Sequence, residues 1–119
     1  HGLMSIFGHL IDNGYKIAVV TDGRMSGASG KVPIVLHVCP EALEGGNIGR
    51  IRDNDQLVVD MAAGRFEVVG VDNLEQRLLA APDLRHNEYG VGRALFSMYR
   101  QRVTTAEEGA TTFALPGTE

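Results

Sequence analysis

The residues best equipped for chemistry lie in one stretch, Val20 to Pro33, which reads V-T-D-G-R-M-S-G-A-S-G-K-V-P. It holds two serine hydroxyls (Ser26, Ser29), a carboxylate (Asp22), two cations (Arg24, Lys31) and three glycines (Gly23, Gly27, Gly30). A glycine-rich loop that follows an apolar strand is where backbone N–H groups turn inward to hold phosphates and other anions. Two familiar versions fail. A Walker A loop would need Gly where Met25 stands and Ser or Thr where Val32 stands. The glycines are too widely spaced for a dinucleotide fingerprint, and both loops require a helix where Val32–Val38 reads as a strand. From the loop alone, Ser26 reads as a turn-former before a catalyst, and Ser29 is open between capping the loop and touching a ligand. Arg24 and Lys31 are open between solvated and binding roles, and Asp22 is expected to bond loop amides.

The remaining reactive side chains give weaker signals. His37 alternates with apolar neighbours, as a core or interface histidine does. Cys39 reads as a small buried hydrophobe. His1, His9 and His86 share no metal-ligand spacing, and Glu107-Glu108 reads as part of a solvated tail.

The elements that must carry this loop follow from periodicity. Leu3, Ile6, Phe7, Leu10 and Ile11 repeat as one face of a helix that Asn13-Gly14 stops. Lys16–Thr21 and Val32–Val38 are β-branched runs on either side of the loop, read as strands, the second weakened at its start by Pro33. Pro40–Leu43 can form one helical turn before Gly45-Gly46. Ile48–Ile51, Gln56–Asp60 and Arg65–Val69 read as strands joined by turns at Asp53-Asn54-Asp55 and Ala62-Ala63-Gly64. Asp72 is placed to cap a helix over Asn73–Ala80, and Gly92–Val103 reads as a last helix. Residues 104–119 form a polar, irregular tail. A helix, then β elements, then helices predicts an α+β fold in a single domain over 1–119.

Composition excludes several classes. Eleven basic against fifteen acidic residues, net −4, argue against a nucleic-acid surface. No apolar run approaches the ~20 residues that cross a bilayer, and a cytoplasmic location is expected. One cysteine excludes a disulfide framework, and any iron–sulfur or zinc site made from this chain's thiolates alone. The chain opens on His1 without a signal-peptide pattern, so it is expected to be a piece of a longer protein.

The loop, together with L-H-V-C-P-E-A-L at Leu36–Leu43, G-G-N-I-G at Gly45–Gly49 and I-R-D-N-D at Ile51–Asp55, resembles the C-terminal region of the dihydroxy-acid dehydratase / 6-phosphogluconate dehydratase family. The loop variant S-G-A-S-G-K-V-P, G-R-A-L-F at Gly92–Phe96 and E-E-G-A at Glu107–Ala110 look most like its 6-phosphogluconate branch; Cys39 stands where Thr is more usual. The resemblance implies the later part of a swivelling β/β/α domain, a β-barrel flanked by helices, with some strands absent from this chain. It implies a hydro-lyase of Entner–Doudoroff sugar-acid catabolism that is inactive in isolation. An iron–sulfur cluster and a magnesium ion would be held by an N-terminal domain, with no ligand from this chain, and the parent is expected to be a homodimer.

The resemblance also assigns roles. Ser26, ionised, would be the base that removes the C2 proton of a phosphorylated sugar acid. Gly23, Gly27 and Gly30 would let the backbone approach the substrate. Beyond what the resemblance implies, the residue types themselves suggest that Arg24 or Lys31 meets the substrate's phosphate or carboxylate, that Gly27 and Ser29 contact it too, and that Asp22, Gly23 and Gly30 position the loop. The alternatives are another dehydratase of the family, a non-catalytic swivelling module that binds a partner, and, third, a nucleotide-binding module.

Overall fold

A computed structural model describes residues 2–25, 30–80 and 82–113. Ser26, Gly27 and Ser29, and the end of the tail, lie outside them. The fold is α+β, as expected, and the described residues close no barrel. They form two separate two-stranded sheets.

Helix α1 spans Gly2–Asp12. Its stop is as read: Gly14 takes a left-handed φ of 87°, and the Asn13 amide donates to the His9 carbonyl at 2.8 Å. Strands β1 (Val19–Val20) and β2 (Ile34–Val35) pair in parallel, Val19 with Ile34 and Val20 with Val35. Both are shorter than the apolar runs that predicted them. Single backbone bonds continue the pairing irregularly, from Val38 N–H to the Thr21 carbonyl (3.2 Å) and from His37 N–H to the Gly23 carbonyl (3.4 Å). These bonds hold the loop's entry beside the residues that follow β2, while the parallel pairing returns the loop's exit to the opposite end of the pair.

Strands β3 (Gln56–Asp60) and β4 (Arg65–Val69) form an antiparallel hairpin with Asp60 opposite Arg65. The Asp60 carboxylate accepts the Ala62 and Ala63 N–H groups at 3.0 Å each, closing the predicted turn. Phe66 and Val68, two apart and so on one face, border a cavity of about 300 Å³ with Val38, Cys39, Ile48 and Ile51.

Four expectations are corrected. Ile48–Ile51 is not a strand: Asn47–Arg50 is a 3-10 turn, because Gly49 packs on Ala42 and Leu79. No helix runs over Asn73–Ala80. Asn73 is left-handed (φ 57°), only Leu74–Gln76 turns, and Arg77 is extended. The Ala80 N–H instead reaches the Gly49 carbonyl, 2.7 Å away. The last helix is two, α2 (Val91–Leu95) and α3 (Ser97–Arg102), broken at Phe96 with φ −99° and ψ 16°. His37 is no core residue but exposed, with φ 53°.

Val32, 4 % exposed, is the only apolar side chain buried among the described residues. The Cα radius of gyration is 17.1 Å, against about 13.5 Å for a compact domain of this length. Leu78 (86 %), Val91 (87 %) and Leu95 (68 %) stand largely exposed.

Candidate functional site

The loop is gripped at its described ends. On entry, the Gly23 N–H donates to Thr21 Oγ1 (2.9 Å), which fixes the first bend. Asp22 does not bond loop amides among the described residues: its Oδ2 accepts the Ala42 N–H at 2.8 Å, twenty positions away. Ala42 opens the 3-10 turn Ala42–Glu44, so this carboxylate satisfies a turn-start amide. Arg24 is exposed. At the exit, Gly30 takes φ 72°, where a Cβ is disfavoured, and Lys31 Nζ lies 2.5 Å from Asp12 Oδ1 of α1.

Behind the loop, the other motifs form its support. Gly45 ends the 3-10 turn in the left-handed region (φ 88°). A Cβ on Gly46 would lie 1.7 Å from the Pro40 carbonyl oxygen, so only glycine fits there. A Cβ on Gly49 would come within 2.9 Å of Leu79 and 3.1 Å of Ala42. Two arginines then tie down carbonyls that no regular element satisfies. Arg50 donates to the carbonyls of Gly45 (2.7 Å) and Glu75 (3.1 Å). Arg52 donates to those of Gly49, Ile51 and Leu78.

Asp55 anchors this layer. It accepts the Arg52 N–H at 2.8 Å and a two-pronged contact from Arg77 at 2.6 and 3.1 Å. The Arg77 guanidinium, followed by the Arg52 N–H, holds the Asp55 carboxyl below the usual carboxylate range. The sequence reading missed Arg50, Arg52 and Arg77 as organisers. The I-R-D-N-D motif pointed to the second, but nothing local marks Arg77, whose partner is 22 residues away.

Cys39 is half-buried rather than a core hydrophobe, and its thiol donates to the His37 carbonyl at 3.1 Å. Partial burial, with the Glu107 and Glu41 carboxylates, pushes its pKa up. The turn after α3 therefore lies close to the Cys39-Pro40 segment.

The metal groups implied for the family do not fit these residues. A cluster needs several thiolates and the chain has one; among the described residues no three His, Cys, Asp or Glu side chains gather to hold an ion. What the described residues supply is a loop entrance and exit carrying Arg24 and Lys31, on a support fixed by hydrogen bonds.

Residues 2–110 match the family described as Dihydroxy-acid/6-phosphogluconate dehydratase C-terminal, and the chain belongs to that family. It is 49 % identical over 92 % of its length to a phosphogluconate dehydratase of Rhizobium meliloti (strain 1021), and 50 % identical over 92 % to that of Zymomonas mobilis. It is 37 % identical over 85 % to a dihydroxy-acid dehydratase of Methanococcoides burtonii, covering 17 % of it. The chain spans 18 % of the length of each of the first two relatives.

Proposed function

We propose that this chain serves as the C-terminal, active-site-contributing domain of a 6-phosphogluconate dehydratase. The enzyme removes water from 6-phosphogluconate to give 2-keto-3-deoxy-6-phosphogluconate in cytoplasmic sugar-acid catabolism. The observation that carries this reading is identity of 49–50 % to phosphogluconate dehydratases, against 37 % to a dihydroxy-acid dehydratase. The exposed apolar side chains support packing against an N-terminal domain.

In this reading Ser26 is the base that takes the proton from C2, leaving the electron pair to form the enol that tautomerises to the keto acid. A serine hydroxyl is a weak acid, so its loop must stabilise the oxyanion; Gly27 and Gly30 let backbone N–H groups come close enough. Arg24, Ser29 and Lys31 meet the acid's anionic and hydroxyl groups. Asp22 and Gly23 hold the loop entrance through Ala42 and Thr21. The iron–sulfur cluster and magnesium ion expected for such an enzyme are assigned to the rest of the protein, and the isolated chain is inactive.

The test is keto-acid release from 6-phosphogluconate by the full-length protein under anaerobic conditions, wild type beside Ser26→Ala. The variant is expected to lose about a thousandfold or more in kcat. Turnover that survives in the variant demotes Ser26 to a loop-former. Absence of wild-type turnover with the metal centre intact moves the substrate to another acid of the family.

A further inference from the structure

We propose that the cleft bordered by Arg93 and Arg100 binds a phosphate monoester. Resting on the functional reading above, we assign it to the phosphorylated end of the sugar acid. The cleft has a volume of about 430 Å³ and is bordered by Tyr89, Gly90, Gly92, Arg93, Phe96 and Arg100. Arg93 lies on α2 and Arg100 on α3, on either side of the break at Phe96, and both border the same opening.

Charge singles this segment out. From Tyr89 to Val103 there are three arginines and no Asp or Glu, in a chain of net charge −4. Elsewhere most guanidiniums are engaged: Arg50 and Arg52 on carbonyls, Arg65 on Glu67, Arg77 on Asp55 and Arg85 on Asp83, with Arg24 of the loop the exception among the described residues. Among the described residues, no ion pair or side-chain hydrogen bond engages Arg93 or Arg100. Two free guanidinium forks suit a phosphate monoester, which carries about −1.5 to −2 charges at neutral pH and accepts paired N–H bonds. Tyr89 adds a hydroxyl, and Phe96, 53 % exposed, offers an apolar wall for the carbon chain. A Cβ at Gly90 or Gly92 would meet nothing within 4 Å, so the backbone there leaves open space.

The carboxylate and the phosphate of such an acid lie at opposite ends of its carbon chain, so the loop's cations at one end leave the other end to be held elsewhere. A second cationic site meets that need.

The experiment uses the full-length protein with Arg93→Gln and Arg100→Gln, singly and combined, and Arg102→Gln as a charge control outside the cleft. Three quantities are read: KM and kcat for 6-phosphogluconate, kcat/KM for unphosphorylated gluconate, and calorimetric binding of inorganic phosphate. The combined variant is expected to raise KM at least about tenfold with little change in kcat, and to lose phosphate binding. Gluconate turnover and Arg102→Gln should stay at wild-type values. Lost phosphate binding with an unmoved KM would keep the anion site and overturn its assignment to substrate. Arginine-dependent phosphate binding in a protein that does not dehydrate 6-phosphogluconate would keep the site while the functional reading fails. Unchanged phosphate binding and KM, or an equal effect from Arg102→Gln, would overturn the proposal.

Discussion

Lys31 Nζ stands 2.5 Å from Asp12 Oδ1, so the cation at the loop's exit is tied to the last residue of α1. The stem of Lys31 runs past Gly8, where an added Cβ would touch its Cδ at 3.8 Å. With side chains 43 % and 60 % exposed, the pair contributes no more than about 1 kcal/mol after solvent screening. Its consequence is placement: an anionic ligand that recruits Lys31 must compete with Asp12.

Asp12→Asn is therefore expected to change unfolding free energy by less than about 1 kcal/mol in denaturant titration. In the proposed dehydratase, Lys31→Glu should raise KM for the sugar acid. An unchanged KM would remove Lys31 from the substrate contacts.

The Asp55–Arg77 pair joins the turn before β3 to the extended segment after Leu74–Gln76. Because the folded Asp55 pKa is lowered, its stabilisation is complete above the unfolded value of about 3.9 and is lost as pH falls through the folded value. Asp55→Asn should lower Tm at neutral pH, and its deficit relative to wild type should shrink only below about pH 4. Thermal scans from pH 7 to pH 2.5 read this directly; a deficit independent of pH would show that shape, not charge, matters at this position.

Gly46→Ala forces a methyl against the Pro40 carbonyl, a contact that backbone must move to relieve. Destabilisation of about 1–3 kcal/mol or more is expected, measured by chemical denaturation. Gly64→Ala is a useful contrast: its Cβ meets nothing, and only the left-handed φ of 62° opposes it. Equal effects from the two would contradict steric contact as the reason for Gly46.

The Cys39 thiol should resist alkylation near neutral pH. With its pKa raised by partial burial, Glu107 and Glu41, the rate with iodoacetamide should keep rising above the usual inflection near pH 8.5. Glu107→Gln is expected to move the inflection down. An inflection at or below the ordinary thiol value would refute the assigned environment.

The features legible in the sequence were those with local causes. The periodicity of Leu3 to Ile11 and the Asn13-Gly14 stop gave α1, and Ala62-Ala63-Gly64 gave the β3–β4 turn. The loop at Val20–Pro33 and its flanking motifs carried the family. The α+β class followed from the order of elements.

What required the tertiary structure were contacts between residues far apart in the chain. Ile48–Ile51 has strand composition, yet it turns because Gly49 must nest against Ala42 and Leu79. The apolar spacing of Leu74, Leu78 and Leu79 suits a helix, yet Arg77 is drawn out by Asp55 and Ala80 by Gly49. Asp22 bonds the amide of Ala42, twenty positions away, for the same reason. Periodicity reports which face of a segment is apolar; it cannot report which distant carbonyl or carboxylate will satisfy a segment's polar groups once the chain folds.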